Sequence, residues 1–176
     1  MCSLDTFKID LKGLKEGVTL LNFHLDNDYF KAIEASGMEQ GDVKVTLSIS
    51  ETGSFFELLF HVSGVVHIPC DLCLDDMEQP IETDNRLVVK FGEYYSEEDD
   101  LVTIAENEGI LDVSWFIYEF IELCIPIKHV HAPGKCNLAM MKVLEEHSVT
   151  RSDIANDGDS VDPRWAALLK MKDLKE

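Results

Sequence analysis

Val43-Lys44-Val45-Thr46-Leu47-Ser48-Ile49, followed beyond Glu51-Thr52-Gly53-Ser54 by Phe56-Glu57-Leu58-Leu59-Phe60-His61-Val62, decides the fold class. In the first run Val43, Val45, Leu47 and Ile49 alternate with polar residues. In the second, Phe56, Leu58, Phe60 and Val62 recur with the same period of two. Successive side chains of a strand point to opposite faces, so each run offers one apolar face. Two such runs joined by a short Gly-containing turn make an antiparallel hairpin with one buried side.

The pattern extends in both directions. Upstream, Phe7-Lys8-Ile9-Asp10-Leu11 and then Leu21, Phe23 and Leu25 alternate as two further strands, with Gly13 and Gly17 marking a turn between them. Asp26 or Asn27 can cap a short helix carrying Tyr29, Phe30 and Ile33, and Gly37 and Gly41 fall in the connection that follows. Downstream, Gly64 opens a run through Val66 and Ile68 that stops at Pro69. A strand is expected around Leu87, Val89 and Phe91, and another at Leu101–Ile104. The acidic stretch 93–100 reads as a solvated loop.

At Asp112 the period changes. Val113, Phe116, Ile117, Phe120, Ile121 and Cys124 share one face of a helix, with Asp112 as N-cap and Pro126 as the stop. That face is expected to cover the sheet. Leu138, Met141 and Leu144 suggest another helix. Asp162-Pro163 is a helix start, with Trp165, Leu168 and Leu169 in the helix that follows. The expected architecture is α+β: a mostly antiparallel sheet with a covering helix and a helical C-terminal tail. The expected organisation is an α+β core over 1–147, an acidic flexible linker over 148–161 and an amphipathic helix over 162–176.

Charge restricts the partners. Fifteen Lys and Arg face 34 Asp and Glu in 176 residues, a formal charge of −19. Nucleic-acid affinity rests mainly on cations that neutralise phosphates, so direct nucleic-acid binding is disfavoured. The field attracts cationic surfaces, and a basic protein is the expected partner; the plainer reading is that the charge only confers solubility. The residues from Met1 to Asp10 have no basic segment leading into an apolar run, and no stretch of about 18 apolar residues occurs. A cytoplasmic protein with no membrane association is expected, with its five cysteines as thiols or metal ligands.

Cys70-Asp71-Leu72-Cys73 is a C-x2-C turn directly after a strand, and it supplies half of a tetrahedral metal site. The other half is expected from His131-Ala132-Pro133-Gly134-Lys135-Cys136, an H-x4-C element in a loop able to wrap an ion. His129 is a substitute for His131. The proposed ligand set is Cys70, Cys73, His131 and Cys136. With four protein ligands the ion, Zn2+ by donor type, would be structural. Thiols without an ion are one alternative. A redox pair is another, but that chemistry calls for a thiolate at a helix N-terminus, and Asp71, Asp75 and Asp76 place negative charge nearby. Cys124 reads as core. His24, His61, His67 and His147 read as structural or exposed. No phosphate-binding glycine loop, nucleophile elbow or H-E-x-x-H motif occurs, and the adjacent carboxylates read as a solvated face; no enzymatic activity is expected.

Several segments together resemble one family. They are Ile9-x3-Gly13-Leu14-x2-Gly17, Cys70-Asp71-Leu72-Cys73-Leu74, and Val88-Val89-Lys90-Phe91-Gly92. Two more follow: Leu123-Cys124-Ile125-Pro126-Ile127 leading to His131 and Cys136, and Asp162-Pro163-Arg164-Trp165-x2-Leu168. Their order and spacing resemble the YceD family of bacterial large-subunit ribosomal-RNA accumulation proteins. The commonest family form has Arg between the cysteines where this chain has Leu72. The resemblance implies a role in ribosomal-RNA accumulation and ribosome assembly. Combined with the charge, it points to a factor that holds a basic ribosomal protein or assembly partner. The alternative is a zinc-stabilised interaction module unrelated to ribosomes, and a thiol-redox enzyme ranks last.

Overall fold

The computed structural model describes residues 4–14, 17–34, 37–98 and 100–148. A 3-10 turn at Leu4–Phe7 leads into β1 (Lys8–Asp10), β2 (Val18–Leu25), α1 (Asn27–Ile33), β3 (Gln40–Thr52) and β4 (Phe55–Pro69). Then come β5 (Asp76–Gly92), β6 (Ser96–Glu98), β7 (Leu101–Ala105), β8 (Ile110–Asp112), α2 (Ser114–Cys124) and α3 (Leu138–His147). Six strands form one sheet in the order β2-β3-β4-β5-β7-β6. All its neighbours run antiparallel except β5 and β7. β1 and β8 make a separate antiparallel pair. The architecture is the expected α+β, with a mostly antiparallel sheet.

The hairpin that decides the fold is β3–β4, in register from Gln40↔His67 to Thr52↔Phe55. Its loop is Gly53-Ser54. Gly53 has φ +67 and Ser54 is outside the left-handed region, the pattern of a type II′ turn with Gly at its first position. Farther along, Gly64 lies opposite Val43, where a Cβ would come within 2.3 Å of the Asp42 carbonyl oxygen. Only glycine fits that approach.

The inward faces of β3, β4, β5 and β7 carry the core, with Leu47, Phe60, Val89 and Val102 among its buried residues. Helix α2 closes it: Phe116, Ile117 and Ile121 are buried, and the Phe120 ring meets Phe60 at 5.1 Å between centroids. The Tyr29 hydroxyl donates to the Ser114 carbonyl at 2.7 Å and fastens α1 to α2. Asp26 is the α1 N-cap, accepting from the amides of Asp28 and Tyr29.

Four local expectations need correction. Stretch 93–100 is not all loop: β6 pairs with β7, because an edge strand can turn both Glu97 and Glu98 to solvent while its backbone is bonded. Asp112 is not the α2 N-cap. It pairs with Lys8 at the end of β8, which holds it extended, and the helix begins at Ser114. The Asp112 carboxylate still accepts from the Ser114 amide and hydroxyl, at 2.9 and 2.6 Å. The strand expected near Leu87 begins at Asp76, carried that far by its ladder to β4. Gly41 belongs to β3 instead of the connection before it.

Two compact units divide the chain, Met1–Asn137 and Leu138–Glu176. Helix α3 belongs to the second, and none of its residues is buried. The expected tail helix over 162–176 lies outside the described residues, as does nearly all of the expected linker over 148–161. No helix among the described residues is long and apolar enough to cross a membrane.

Candidate metal centre

The β4–β5 ladder closes with Pro69 opposite Asp76, and the six-residue loop between them carries Cys70 and Cys73. The Cys70 amide donates to the Asp75 carbonyl and the Leu74 amide to the Cys70 carbonyl, both at 2.9 Å. These bonds fold the loop into a knuckle with the two thiols buried side by side. Leu74 closes it at φ +62, a left-handed conformation that costs a non-glycine residue about 1–2 kcal/mol.

The second loop follows α2, which ends at Cys124 with Pro126 just beyond. Its Ala132-Pro133-Gly134-Lys135 segment is a tight turn, with the Lys135 amide donating to the Ala132 carbonyl at 2.9 Å. Pro133 presets the first corner and Gly134, at φ +79, supplies the second, as in a type II turn. The turn directs His131 and Cys136 back to the same place.

A clamp joins the two loops. The Asp71 amide donates to the His129 carbonyl at 3.0 Å, and the His129 amide donates to Asp71 Oδ2 at 2.8 Å. The His129 ring is also engaged, with Nδ1 3.0 Å from the Pro126 carbonyl oxygen and Nε2 3.4 Å from Asp71 Oδ1. Asn137 Nδ2 donates to Asp75 Oδ2 at 3.1 Å. His129 therefore serves the clamp and is not one of the converging donors. The two-residue spacing to His131 that makes it a substitute ligand in the sequence carries no signal of this role. Asp71, inside the C-x2-C turn, is the one residue whose position hints at it.

Cys70, Cys73, His131 and Cys136 converge, their ligand atoms all within 4.8 Å of one another. Cys70 Sγ lies 3.9 Å from Cys136 Sγ, and Cys73 Sγ lies 3.4 Å from His131 Nδ1. In a tetrahedron with metal–sulfur bonds of about 2.3 Å, sulfur atoms stand about 3.8 Å apart, and a shorter metal–nitrogen bond brings sulfur and nitrogen closer. The two separations fit those edges. His131 Nε2 is 3.2 Å from the Asp76 carbonyl oxygen. An N–H donated there leaves the lone pair on Nδ1, facing the sulfurs, which is the usual orienting contact of a metal-bound histidine. The cluster can hold a metal ion.

The electrostatics suit that role. Burial pushes the Cys70 thiol up, but hydrogen bonds from the amides of Cys73, His131 and Leu72 and from the His131 side chain outweigh it and bring the thiol down to about 6. The His131 imidazole is raised, chiefly by its hydrogen bond to Cys70. The Cys136 thiol is pushed up to about 11 by burial and by its hydrogen bonds to Cys70 and Cys73. The expectation that neighbouring aspartates raise the thiols thus fails at Cys70. Asp71 turns to His129, Asp75 to Asn137 and Asp76 to His67, while backbone amides face the sulfur. A depressed thiol also suits redox work, yet Cys70 is wholly buried in a turn, with no helix N-terminus behind it and a third thiol and an imidazole in front.

A second feature went unread in the sequence. An open groove of about 660 Å³ is lined by Asp26, Asp28, Asp42, His67 and Glu78, among others. A smaller hollow of about 300 Å³ shares Gln40 and His67 with it and adds Glu39 and Asp76. These carboxylates come from α1, β3 and β5 and the segments beside them, too far apart along the chain to read as one surface. His24, His61 and His67 each face an aspartate, Asp42, Asp84 and Asp76, at 3.0, 2.7 and 2.8 Å.

No curated protein and no solved structure shows a significant match to this chain. A family model does match: the one described as large ribosomal RNA subunit accumulation protein YceD aligns with residues 58–172. The matched span covers more than half of the chain and contains all four converging donors and both halves of the clamp. The chain belongs to the YceD family.

Proposed function

We propose that this protein is a non-catalytic factor in large-subunit ribosomal-RNA accumulation that works by holding a basic protein, a ribosomal protein or assembly partner. The acidic groove carries this reading. Asp26, Asp28, Asp42 and Glu78 around one concavity, continued by Glu39 and Asp76, form a docking surface for Lys and Arg side chains. The charge of −19 extends the attraction over the whole molecule.

Zn2+ is the ion we assign to Cys70, Cys73, His131 and Cys136. Three thiolates and one imidazole are soft-to-borderline donors, and a closed four-ligand shell is the form of structural zinc. Its part is mechanical: it ties the β4–β5 knuckle, beside the smaller hollow that Asp76 lines, to the loop after α2. Metal analysis of protein purified without added zinc should return one zinc per chain.

The partner is tested by co-purification from cells at moderate salt, followed by identification of what is bound. A basic large-subunit protein is expected. An Asp42→Lys, Glu78→Lys double variant should weaken its capture by about tenfold or more, because attraction becomes repulsion in the groove. Recovery of RNA alone, or equal capture by the variant, would overturn the reading.

A further inference from the structure

The six-stranded sheet has two edges, built differently. β6 is three residues, Ser96-Glu97-Glu98, all exposed. A short, charged strand is how proteins keep an edge from pairing with another chain. β2 lies at the other end of the sheet and has no such guard. Its eight residues, Val-Thr-Leu-Leu-Asn-Phe-His-Leu, include no Lys, Arg, Asp, Glu or Pro. It pairs with β3 at every position from Val18↔Ser50 to Leu25↔Val43, with no bulge to twist it away. Among the described residues its outer edge makes no other backbone hydrogen bond. Its side chains are also incompletely covered. Leu21 and Phe23 reach the core but are only partly buried, while Val18 and Leu20 on the opposite face are 66% and 64% exposed.

We infer that β2 is a docking edge on which an extended, basic segment of a partner polypeptide adds as a further strand of the sheet. Strand addition satisfies the open row of backbone groups and can finish the burial of Leu21 and Phe23. Charge selects the occupant. A second copy of this chain would present the same neutral strand but bring −19 to a surface of the same sign. A cationic segment meets the reverse. The C-terminal end of β2 runs into Asp26, which lines the acidic groove together with Asp28 and Asp42, and Asp42 faces His24 of β2 at 3.0 Å. The fitting segment alternates apolar residues, set beside Leu21 and Phe23, with Lys or Arg, some of which reach those carboxylates. The inference rests on the basic-partner reading and specifies how that partner is gripped.

The test uses the full, metal-loaded chain and synthetic octapeptides. One alternates Lys and Val. Two more carry the same sequence N-methylated on one or the other alternate set of amides. A fourth alternates Lys and Gly. Binding is followed by titration, and the contact is mapped by amide hydrogen exchange. The Lys/Val peptide should bind and slow exchange along Val18–Leu25. An added strand pairs through one of its edges only, so one methylated form should bind about tenfold or more weakly and the other nearly as well as the parent. Equal binding by all four peptides, with protection confined to the groove, would overturn the strand-addition inference and leave the basic-partner reading standing. Binding of none would overturn both. A dimer of the chain alone, with β2 protected, would overturn the inference in favour of a second copy.

Discussion

Between Val43 and Val66, the side chains that join β3 to β4 on the core side are buried hydrophobics packed under α2 and held by nothing but contact and a backbone ladder. Farther along β4, where the Cys70–Asp75 loop leads into β5, packing gives way to donors: two thiols, a carboxylate clamp on His129, and a third thiol and an imidazole from a loop after α2. The first region is stable because it excludes water, and it needs no other component. The second brings four ligand atoms within 4.8 Å of one another and holds the Cys136 thiol up at about 11, so it stays protonated until an ion displaces the proton. One strand, β4, is thus sturdy along its pairing with β3 and conditional where it turns into β5. The sheet should therefore survive loss of the knuckle, and the knuckle should not survive loss of the sheet.

Phe60→Ala is expected to have the largest effect. Phe60 is 1% exposed and packs against Phe120, so truncation leaves a cavity under α2 and should cost about 3–5 kcal/mol. Chemical denaturation read by circular dichroism should show the loss, and metal should leave in the same transition. A metal centre that outlasts the sheet would break the comparison from one side. Cys73→Ser tests the other side. It should abolish metal binding and lower amide protection at Cys70, Asp71, Leu74 and His129 by about 2–3 kcal/mol, the linkage worth of free metal at about a hundredfold excess over its dissociation constant. Amides of β3 should keep their protection to within about 0.5 kcal/mol. If β3 loses as much as the knuckle, the two regions are one cooperative unit.

The same division decides what could be read from the sequence. The β3–β4 hairpin was legible because its apolar residues alternate without interruption and Gly53 sits where a two-residue turn requires it. The four donors were legible because C-x2-C and H-x4-C are local spacings, each short enough to bring its own pair together. The first part of β5 was not. From Asp76 to Arg86 only Ile81 is buried, so the strand exists by virtue of its ladder to β4 and carries little apolar signal of its own. β8 was missed for a related reason: Ile110–Asp112 is three residues long and is a strand because β1, remote in sequence, lies beside it. The clamp role of His129 and the acidic groove are likewise products of tertiary approach. Local periodicity has no term for any of them.

A smaller effect concerns protons at the metal-free knuckle. The folded Cys70 thiol, at about 6, lies below its ordinary 9.0, so its contribution to stability is fully present above 9.0 and is lost as pH falls through about 6. His131 is raised above 6.5, so its contribution is fully present below 6.5 and is lost as pH rises through the folded value. Between 6.5 and 9.0 the two changes oppose each other, so the clear loss is on the acid side, as pH falls through about 6. Knuckle amide protection, measured in the presence of a chelator, should fall as pH drops through about 6, and Cys70→Ser should remove that fall. The same acid limb in β3 would again merge the two regions.

Leu74→Gly should give the smallest change, and one of opposite sign. Leu74 sits at φ +62 with 68% of its surface exposed, so it contributes strain to the knuckle and little to the core. Glycine adopts that conformation freely, a gain of about 1–2 kcal/mol, less roughly 0.5–1 kcal/mol for the greater freedom of glycine in the open loop. Leu74→Ala keeps the strain and should change almost nothing, which separates conformation from lost side chain. Where the gain appears is the informative part. If the knuckle opens without the sheet, Leu74→Gly should slow metal release by about two- to fivefold and leave the denaturation midpoint of the sheet where it was. A raised midpoint with unchanged metal release would mean that the knuckle and the sheet open together, and that the ion stabilises the whole fold instead of one loop.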